Sequence, residues 1–388
     1  MKPEGEEHLL TGPCVGDVLE VEISDMAFGG DGVGRVDGFV IFAPFVITGE
    51  TVRVEIIERK KDFARAKLLE VLTPAPERTS PECTHFGICG GCQYQHIEYT
   101  AQTQIKLSQI RSLFERVGGF SGAVVGNLVP CPTPYNYRNR IMVRRQWNKP
   151  KQKAVYGFLH HDSRLVVDMD RCEIAEESLN EQLIQLRENP PPRNMQKIVL
   201  RIMPDDWEMH RDSFFQNNFH LLPELVEIVR NKLMDAGTRH LVDAYCGIGF
   251  FSLSLADSVE SFVGVDIDKQ CILPARRNME LRDIANGEFI LGKTEEHMDA
   301  LLAKFTAPNT TVILDPPRKG CHQNGLQMLA DAAPAQVIYV SCHPATLARD
   351  LKWLCTEGGY ELAGVTPLDM FPQTQHVECV ADLRRKQD

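Results

Sequence analysis

Leu241-Val242-Asp243-Ala244-Tyr245-Cys246-Gly247-Ile248-Gly249 is the stretch from which the fold can be read. An apolar strand runs into a glycine turn, where backbone can approach a ligand at the carboxyl end of a strand in an open α/β sheet. Some twenty residues later, Val263-Gly264-Val265-Asp266 ends a second apolar run in an acid, placed to accept hydrogen bonds from ribose hydroxyls. The pair points to an adenosine-containing ligand. The dinucleotide pattern G-x-G-x-x-G fails because position 252 is Ser, which favours S-adenosylmethionine over NAD. Around these runs, strand-like segments at 240–244, 262–265, 312–314 and 337–340 alternate with helical stretches, the signature of a parallel α/β sheet.

At 388 residues the chain is long enough for two or three domains. Its start, Met1 to Glu7, is charged and lacks the apolar core of a signal peptide, and no apolar run approaches the roughly 18 residues that cross a bilayer. A cytoplasmic, monomeric protein is expected. The net charge of -11 argues against a nucleic-acid binder, but local charge matters more than the total. From Arg138 to Lys153 there are seven cations and no acid, and 53–67 is also basic on balance. A solvated face is the ordinary reading of one such run; two beside a nucleobase site suggest RNA.

Residues 12–73 read as a small β-barrel. Apolar positions alternate in 18–23 and 52–57, and Phe28-Gly29-Gly30-Asp31-Gly32-Val33-Gly34-Arg35 lies between them. The glycines supply tight turns, and the pattern resembles a TRAM domain, an OB-like RNA-binding barrel. Residues 72–76 read as a linker and 97–117 as a helix with Ile110, Leu113, Phe114 and Val117 on one face. Asn189 and the three prolines after it mark a loop or a seam. A second helix is expected at 222–234.

Twelve cysteines without a signal peptide are metal ligands, nucleophiles or core thiols rather than disulfides. Cys83, Cys89 and Cys92 are spaced C-x5-C-x2-C, and Cys172 is a fourth thiol. Four thiolates suit zinc or an iron–sulfur cluster. Three clustered cysteines with one distant one fit [4Fe–4S] better than the paired C-x2-C knuckles of zinc ribbons, with zinc and unliganded core thiols as alternatives.

Val340-Ser341-Cys342-His343-Pro344 puts a thiol after an apolar strand, and Phe371-Pro372-Gln373-Thr374-Gln375-His376-Val377-Glu378 puts a carboxylate at the end of a loop. A thiolate adding at carbon 6 and a carboxylate removing the carbon-5 proton are what alkylation of uracil carbon 5 requires. Leu314-Asp315-Pro316-Pro317-Arg318 closes another strand. Arg318 stands where amine-methylating enzymes have an aromatic, so amine methylation is disfavoured.

Together these motifs, with Phe214-Phe215-Gln216-Asn217-Asn218, resemble the RNA (uracil-5-)-methyltransferases over nearly the whole chain, and within them the TRAM-domain, iron–sulfur type acting on 23S ribosomal RNA. The resemblance implies an α/β fold in three parts. They are a TRAM barrel at 1–74, an α+β central domain at 75–212 bearing the cluster on Cys83, Cys89, Cys92 and Cys172, and a Rossmann-like methyltransferase domain at 213–388. A helix at about 97–125 is expected to pack on the last. It implies that Gln216, Tyr245, Asp266 and Asp315 hold S-adenosylmethionine, that Cys342 is the nucleophile and Glu378 the base, and that the substrate is RNA, 23S ribosomal RNA ahead of the tRNA T-loop. Three residues depart from the pattern: His343 in place of Asn, Phe250 in place of a small polar residue, and Asp266 in place of Glu. Two other readings compete. An RNA cytosine-5 enzyme would need a second cysteine in a Pro-Cys pair, and Pro130-Cys131 lies outside the α/β domain. A non-catalytic RNA-binding relative would keep only the barrel and basic segment.

Overall fold

The computed structural model describes residues 12–386, so the charged start at Met1 to Glu7 lies outside the described residues. Three sheets organise the chain. Strands β1 (Val18–Met26), β2 (Gly32–Val36), β3 (Phe39–Ala43), β4 (Thr51–Arg59) and β5 (Phe63–Thr73) close into a barrel in the order β1-β2-β3-β5-β4. Alternation in β4 puts Val52, Val54 and Ile56 inside and their neighbours at the surface. Buried Glu50 ties the barrel to the chain beyond it: its carboxylate accepts from the Ala75 amide at 3.2 Å and pairs with Arg78. Strand β5 runs through Thr73, so the linker is shorter than its composition suggests.

Helix α1 (Tyr99–Leu113) follows, ending in a π-helical turn at Phe114–Gly118. Ala101 and Ile105 pack on Met26 and Ile47 at the barrel, while the rest of its apolar face turns elsewhere. Leu107, Ile110 and Phe114 pack into the same core as Val242, Val263 and Leu347 far along the chain. Strands β6 (Arg140–Asn148), β7 (Lys153–Leu159), β8 (Val166–Asp168) and β9 (Lys197–Arg201) form a sheet in the order β8-β7-β6-β9, covered by α2 (Glu177–Glu188). The proline run at 190–192 is a loop between α2 and β9 inside this unit, not a seam.

The C-terminal sheet is seven-stranded, in the order β12-β11-β10-β13-β14-β16-β15. Strands β10 (His240–Ala244), β11 (Ser261–Asp266), β12 (Gly287–Leu291), β13 (Thr310–Leu314) and β14 (Gln336–Ser341) are parallel; β15 (Tyr360–Leu368) and β16 (Glu378–Arg385) pair antiparallel beside them. Buried on both faces, the inner strands are continuously apolar, which is why sequence periodicity found them. Strands β12, β15 and β16 escaped it because their apolar residues are interrupted by Glu288, Glu361 and Asp382. Helices α3 (Leu222–Asp235), α4 (Phe250–Ser254), α5 (Lys269–Leu281), α6 (Thr294–Lys304), α7 (Gln323–Ala332) and α8 (Pro344–Thr356) flank the sheet. Among the described residues, no helix is long and apolar enough to cross a membrane.

Helix α1 is bound to the C-terminal part by a fully buried ion pair, Lys106 Nζ to Asp369 Oδ1 at 2.7 Å. Lys106 also donates to the Phe371 and His376 carbonyls at 3.1 and 3.3 Å, and the Tyr99 hydroxyl donates to Asp369 Oδ2 at 3.1 Å. Removing one partner of such a pair costs about 3–5 kcal/mol, because the other charge is left buried alone.

Candidate active site

The carboxyl ends of β10, β11, β13 and β14 open into one cavity of about 1040 Å³, which continues past the central sheet to the cysteine segment. Its walls include Gln216, Tyr245, Asp266, Asp315, Cys342 and Glu378, and also Cys83, Cys89, Cys92 and Cys172. Residues picked from segments up to 295 positions apart in sequence thus line a single space.

At the donor end, the turn after β10 needs unusual backbone. Tyr245, Gly247 and Gly249 all have positive φ, and a side chain at Gly249 would run into the Phe289 ring. Asp266 closes this turn: its Oδ2 accepts from the Gly247 amide at 2.9 Å and its Oδ1 from the Asp268 amide at 2.8 Å. The Tyr245 hydroxyl donates to Glu295 at 3.0 Å. Gln216 is buried against the cavity, its carbonyl held by the Asn139 side chain at 3.0 Å.

Asp243 was not singled out in the sequence, yet its placement is telling. Its Oδ2 accepts from the Ser252 amide and hydroxyl, at 3.0 and 2.6 Å, while Oδ1 is buried with no partner. Burial pushes this carboxyl up to about 7. A lone acceptor oxygen in a water-poor wall suits a cationic donor such as the ammonium group of S-adenosylmethionine, so the residues fit that ligand. Ser252, which broke the dinucleotide pattern, is the residue that orients Asp243. Phe250 packs edge-on to Phe215, with centroids 5.6 Å apart, and near Trp207 at 5.9 Å. It builds an aromatic wall where a polar contact was looked for.

At the reacting end, Cys342 sits between the end of β14 and the start of α8, where the helix dipole favours a thiolate. Burial still raises the thiol to about 11, and the Glu378 and Asp315 carboxylates add to the rise. Arg318 opposes it, by its charge and by a hydrogen bond to the sulfur. The same guanidinium reaches His376, Nη2 to Nε2 at 3.3 Å. Burial and the surrounding cations push His376 down to about 4, so at neutral pH it is uncharged and accepts from Arg318. Glu378, the first residue of β16, is buried, and burial beside Asp315 holds its carboxyl well above the usual range against the pull of Arg318.

Arg318 is the residue the sequence reading undervalued: it was noted as a missing aromatic and is instead the cation shared by thiol, imidazole and carboxylate. His343 caps α8, with Nδ1 accepting from the Thr346 amide at 3.3 Å. Arg318→Met is therefore expected to shift the pH profile of Cys342 alkylation upward by about one unit, the size of one lost charge partner, measured with a thiol reagent in the absence of RNA.

Cys131, the second cysteine of the cytosine reading, is buried under Asn218, whose Nδ2 lies 3.2 Å from its sulfur, and is not among the cavity residues. Of the basic runs, 53–67 is largely neutralised: Arg53 pairs with Glu20 and Glu70, Lys60 with Glu58, and Arg65 with Asp31. Arg138 and Arg144, from the other run, do line the cavity.

At the far end, the Gly91 amide points at the Cys89 sulfur, 3.4 Å away. Gln95 accepts from the Cys83 amide at 3.1 Å and hydrogen-bonds the Cys92 thiol. Burial raises all four thiols.

A family model described as tRNA (Uracil-5-)-methyltransferase matches residues 196–386, and one described as TRAM domain matches residues 13–69. An uncharacterized RNA methyltransferase of Bacillus cereus is 31% identical over 454 residues, covering 95% of this chain and 97% of its own. The chain belongs to the tRNA (uracil-5-)-methyltransferase family. An uncharacterized RNA methyltransferase of Clostridium acetobutylicum is 30% identical over 448 residues, covering 94% of this chain and 96% of its own. The crystal structure of Pyrococcus abyssi tRNA (uracil-54, C5)-methyltransferase, in complex with S-adenosyl-L-homocysteine, is similar with a TM-score of 0.72 at 26% identity. The match covers 94% of this chain and 100% of that one. As a member of the family, the protein is an S-adenosylmethionine-dependent RNA methyltransferase with a TRAM barrel at its N-terminal end.

Proposed function

We propose that this family member methylates carbon 5 of a uridine in RNA by covalent catalysis. The observation that carries the reading is the convergence of Cys342, Arg318 and Glu378 at one end of the donor cavity. Cys342 gives up its proton to solvent, and the thiolate left behind is stabilised by Arg318 and the α8 N-terminus. Its sulfur then bonds to carbon 6, and the ring's electron pair moves onto the carbon-4 oxygen. Bound S-adenosylmethionine would supply an electrophilic methyl group; carbon 5 takes it as the enolate pair returns to the ring, and the methyl–sulfur electron pair stays on the sulfur of the departing S-adenosylhomocysteine. Glu378 removes the carbon-5 proton; the freed pair re-forms the ring double bond and expels the Cys342 thiolate. A raised carboxyl is a stronger base once ionised, which suits this last step. Gln216, Tyr245, Asp266 and Asp315 hold the donor, with Asp243 beside them.

In this reading the barrel (1–74) grips RNA, the central part (75–212) carries the cysteine cluster, and 213–388 does the chemistry. Cys83, Cys89, Cys92 and Cys172 would hold a [4Fe–4S] cluster. The amide aimed at Cys89 suits a cluster sulfur environment. Among the described residues, the one set of three or more metal-ligand atoms within 4.8 Å of one another is His160, His161 and Asp162. The four sulfurs are thus spread wider than the about 3.8 Å of a zinc tetrahedron with 2.3 Å bonds.

The first substrate reading is 23S ribosomal RNA, because a barrel with a cysteine cluster resembles the members acting there. A tRNA T-loop uridine is the second, favoured by the full-length likeness to the Pyrococcus abyssi tRNA enzyme. The target base must be unstacked to enter so enclosed a site. The deciding measurement is tritium release from 23S ribosomal RNA and tRNA transcripts labelled at uridine carbon 5, with nucleoside mass analysis of the product. Donor-dependent release with 5-methyluridine from the ribosomal transcript alone is expected. Release from tRNA alone would replace the first reading by the second, and 5-methylcytidine would overturn both.

A further inference from the structure

The loop that brings Thr374 and His376 into the cavity makes few bonds of its own. Thr374 accepts from the His376 amide at 3.3 Å and bonds the Phe371 carbonyl, and little else within 371–376 holds it in shape. Most of its hold comes from outside. The Gln373 carbonyl accepts from the Gln93 and Tyr94 amides at 2.9 and 3.0 Å. The Gln375 amide donates to the Gln93 side-chain oxygen at 3.1 Å. From α1, Gln102 exchanges hydrogen bonds with Gln373 at 2.9 and 3.2 Å.

Gln93 immediately follows Cys92, and its Nε2 donates back to the Gly90 carbonyl at 3.2 Å, inside the cysteine segment. On its other side stands the barrel. Gly30, at φ +97°, approaches so closely that a side chain there would sit 3.1 Å from Gln93 and Tyr94. One glutamine therefore joins three parts of the chain: the cysteine turn, the barrel's glycine loop and the loop that precedes Glu378.

We propose that Gln93 is a positioning residue for the catalytic loop, acting through His376 and Arg318 on Cys342, so that the cysteine segment sets the geometry of the reacting end. The proposal rests on the reading of Cys342 as nucleophile. The chain of contacts is Gln93 to the Gln375 amide, then His376 Nε2 to Arg318 Nη2, then Arg318 to the Cys342 sulfur. Without the Gln93 acceptor, the loop loses its grip at 375, the imidazole drifts from the guanidinium, and the guanidinium is no longer held over the thiol. A side-chain oxygen at position 93, not the amide group as a whole, is what the loop needs. Gln93 is only half-buried, so its replacement leaves the core intact.

The test compares Gln93→Leu, which removes the acceptor, with Gln93→Glu, which keeps it, in anaerobically purified full-length protein. The first readout is the pH profile of Cys342 alkylation without RNA. The second is kcat and KM for S-adenosylmethionine with the RNA that wild type methylates. Gln93→Leu is expected to displace the alkylation profile and lower kcat about 10- to 100-fold, with KM for the donor unchanged and the melting temperature close to wild type. Gln93→Glu is expected to restore both readouts most of the way. An alkylation profile in Gln93→Leu that matches wild type overturns the proposal, as does an equal loss in both variants accompanied by a fall in melting temperature. Wild-type protein that methylates no RNA would instead sink the functional reading, and the alkylation arm would still decide the role of Gln93.

Discussion

Replacing Cys342 by alanine is expected to lower methyl transfer by about 10⁴-fold or more, the scale seen when a covalent nucleophile is removed from a working site. The physical reason is that uracil carbon 5 is a poor nucleophile until sulfur adds at carbon 6, and no other group in the wall can make that addition. Cys246 and Cys271 also line the cavity, but they lie at its donor end and burial holds both thiols high. Cys379 is fully buried behind Glu378. The variant should fold and bind S-adenosylmethionine as wild type does, since Cys342 touches the reacting end and not the Asp243 and Asp266 wall. The check is single-turnover transfer of labelled methyl to RNA, with donor binding followed by calorimetry. Retention of even a hundredth of wild-type activity would require a mechanism without covalent addition.

Glu378→Gln is expected to separate the two halves of the reaction. Methyl transfer should proceed, but the carbon-5 proton has no base to take it, so a methylated protein–RNA adduct should accumulate and survive denaturation. Turnover should fall by about 10²- to 10⁴-fold, the usual worth of a placed general base. The wild-type release step carries its own sign. Glu378 is held well above its ordinary range by burial and by Asp315, so lowering the pH fills it with a proton and stops it acting. Release should therefore speed up with rising pH and level off once Glu378 is ionised, while Glu378→Gln should lose that dependence. Pulse–chase of labelled adduct across pH, read on a denaturing gel, measures both. An adduct that forms and decays equally fast in wild type and variant would remove Glu378 from the mechanism.

Both outcomes depend on Arg318, which links them. It pulls the thiol and the carboxyl down together, so in the proposed mechanism a single cation serves the first and last steps. A carboxyl, a thiol and an imidazole gather around it at one end of the cavity. Such crowding is where shifted groups and function coincide.

Much of this was legible in the chain itself. The parallel strands could be read because strands covered on both faces must be apolar throughout, and the glycine turn because Gly247 and Gly249 adopt backbone that side chains resist. The barrel was legible from period-2 alternation in β1 and β4. The roles proposed for Cys342 and Glu378 rest on motif resemblance, since nothing in local spacing distinguishes a nucleophile from a core thiol. What only the tertiary structure decided is where partners from distant segments come to rest. Asp243 is one apolar-flanked acid among others until it is found in the cavity wall with one oxygen unpaired. Arg318 is one arginine after two prolines until it is found between Cys342, His376 and Glu378. Lys106 and Asp369, 263 positions apart, have no pattern in common, and Gln93 touches Gln375 across 282. Short-range propensity acts over a few residues and writes itself into periodicity. Pairing of buried charges and grip on a loop act across folded space, and they exist only once the packing has brought those groups together.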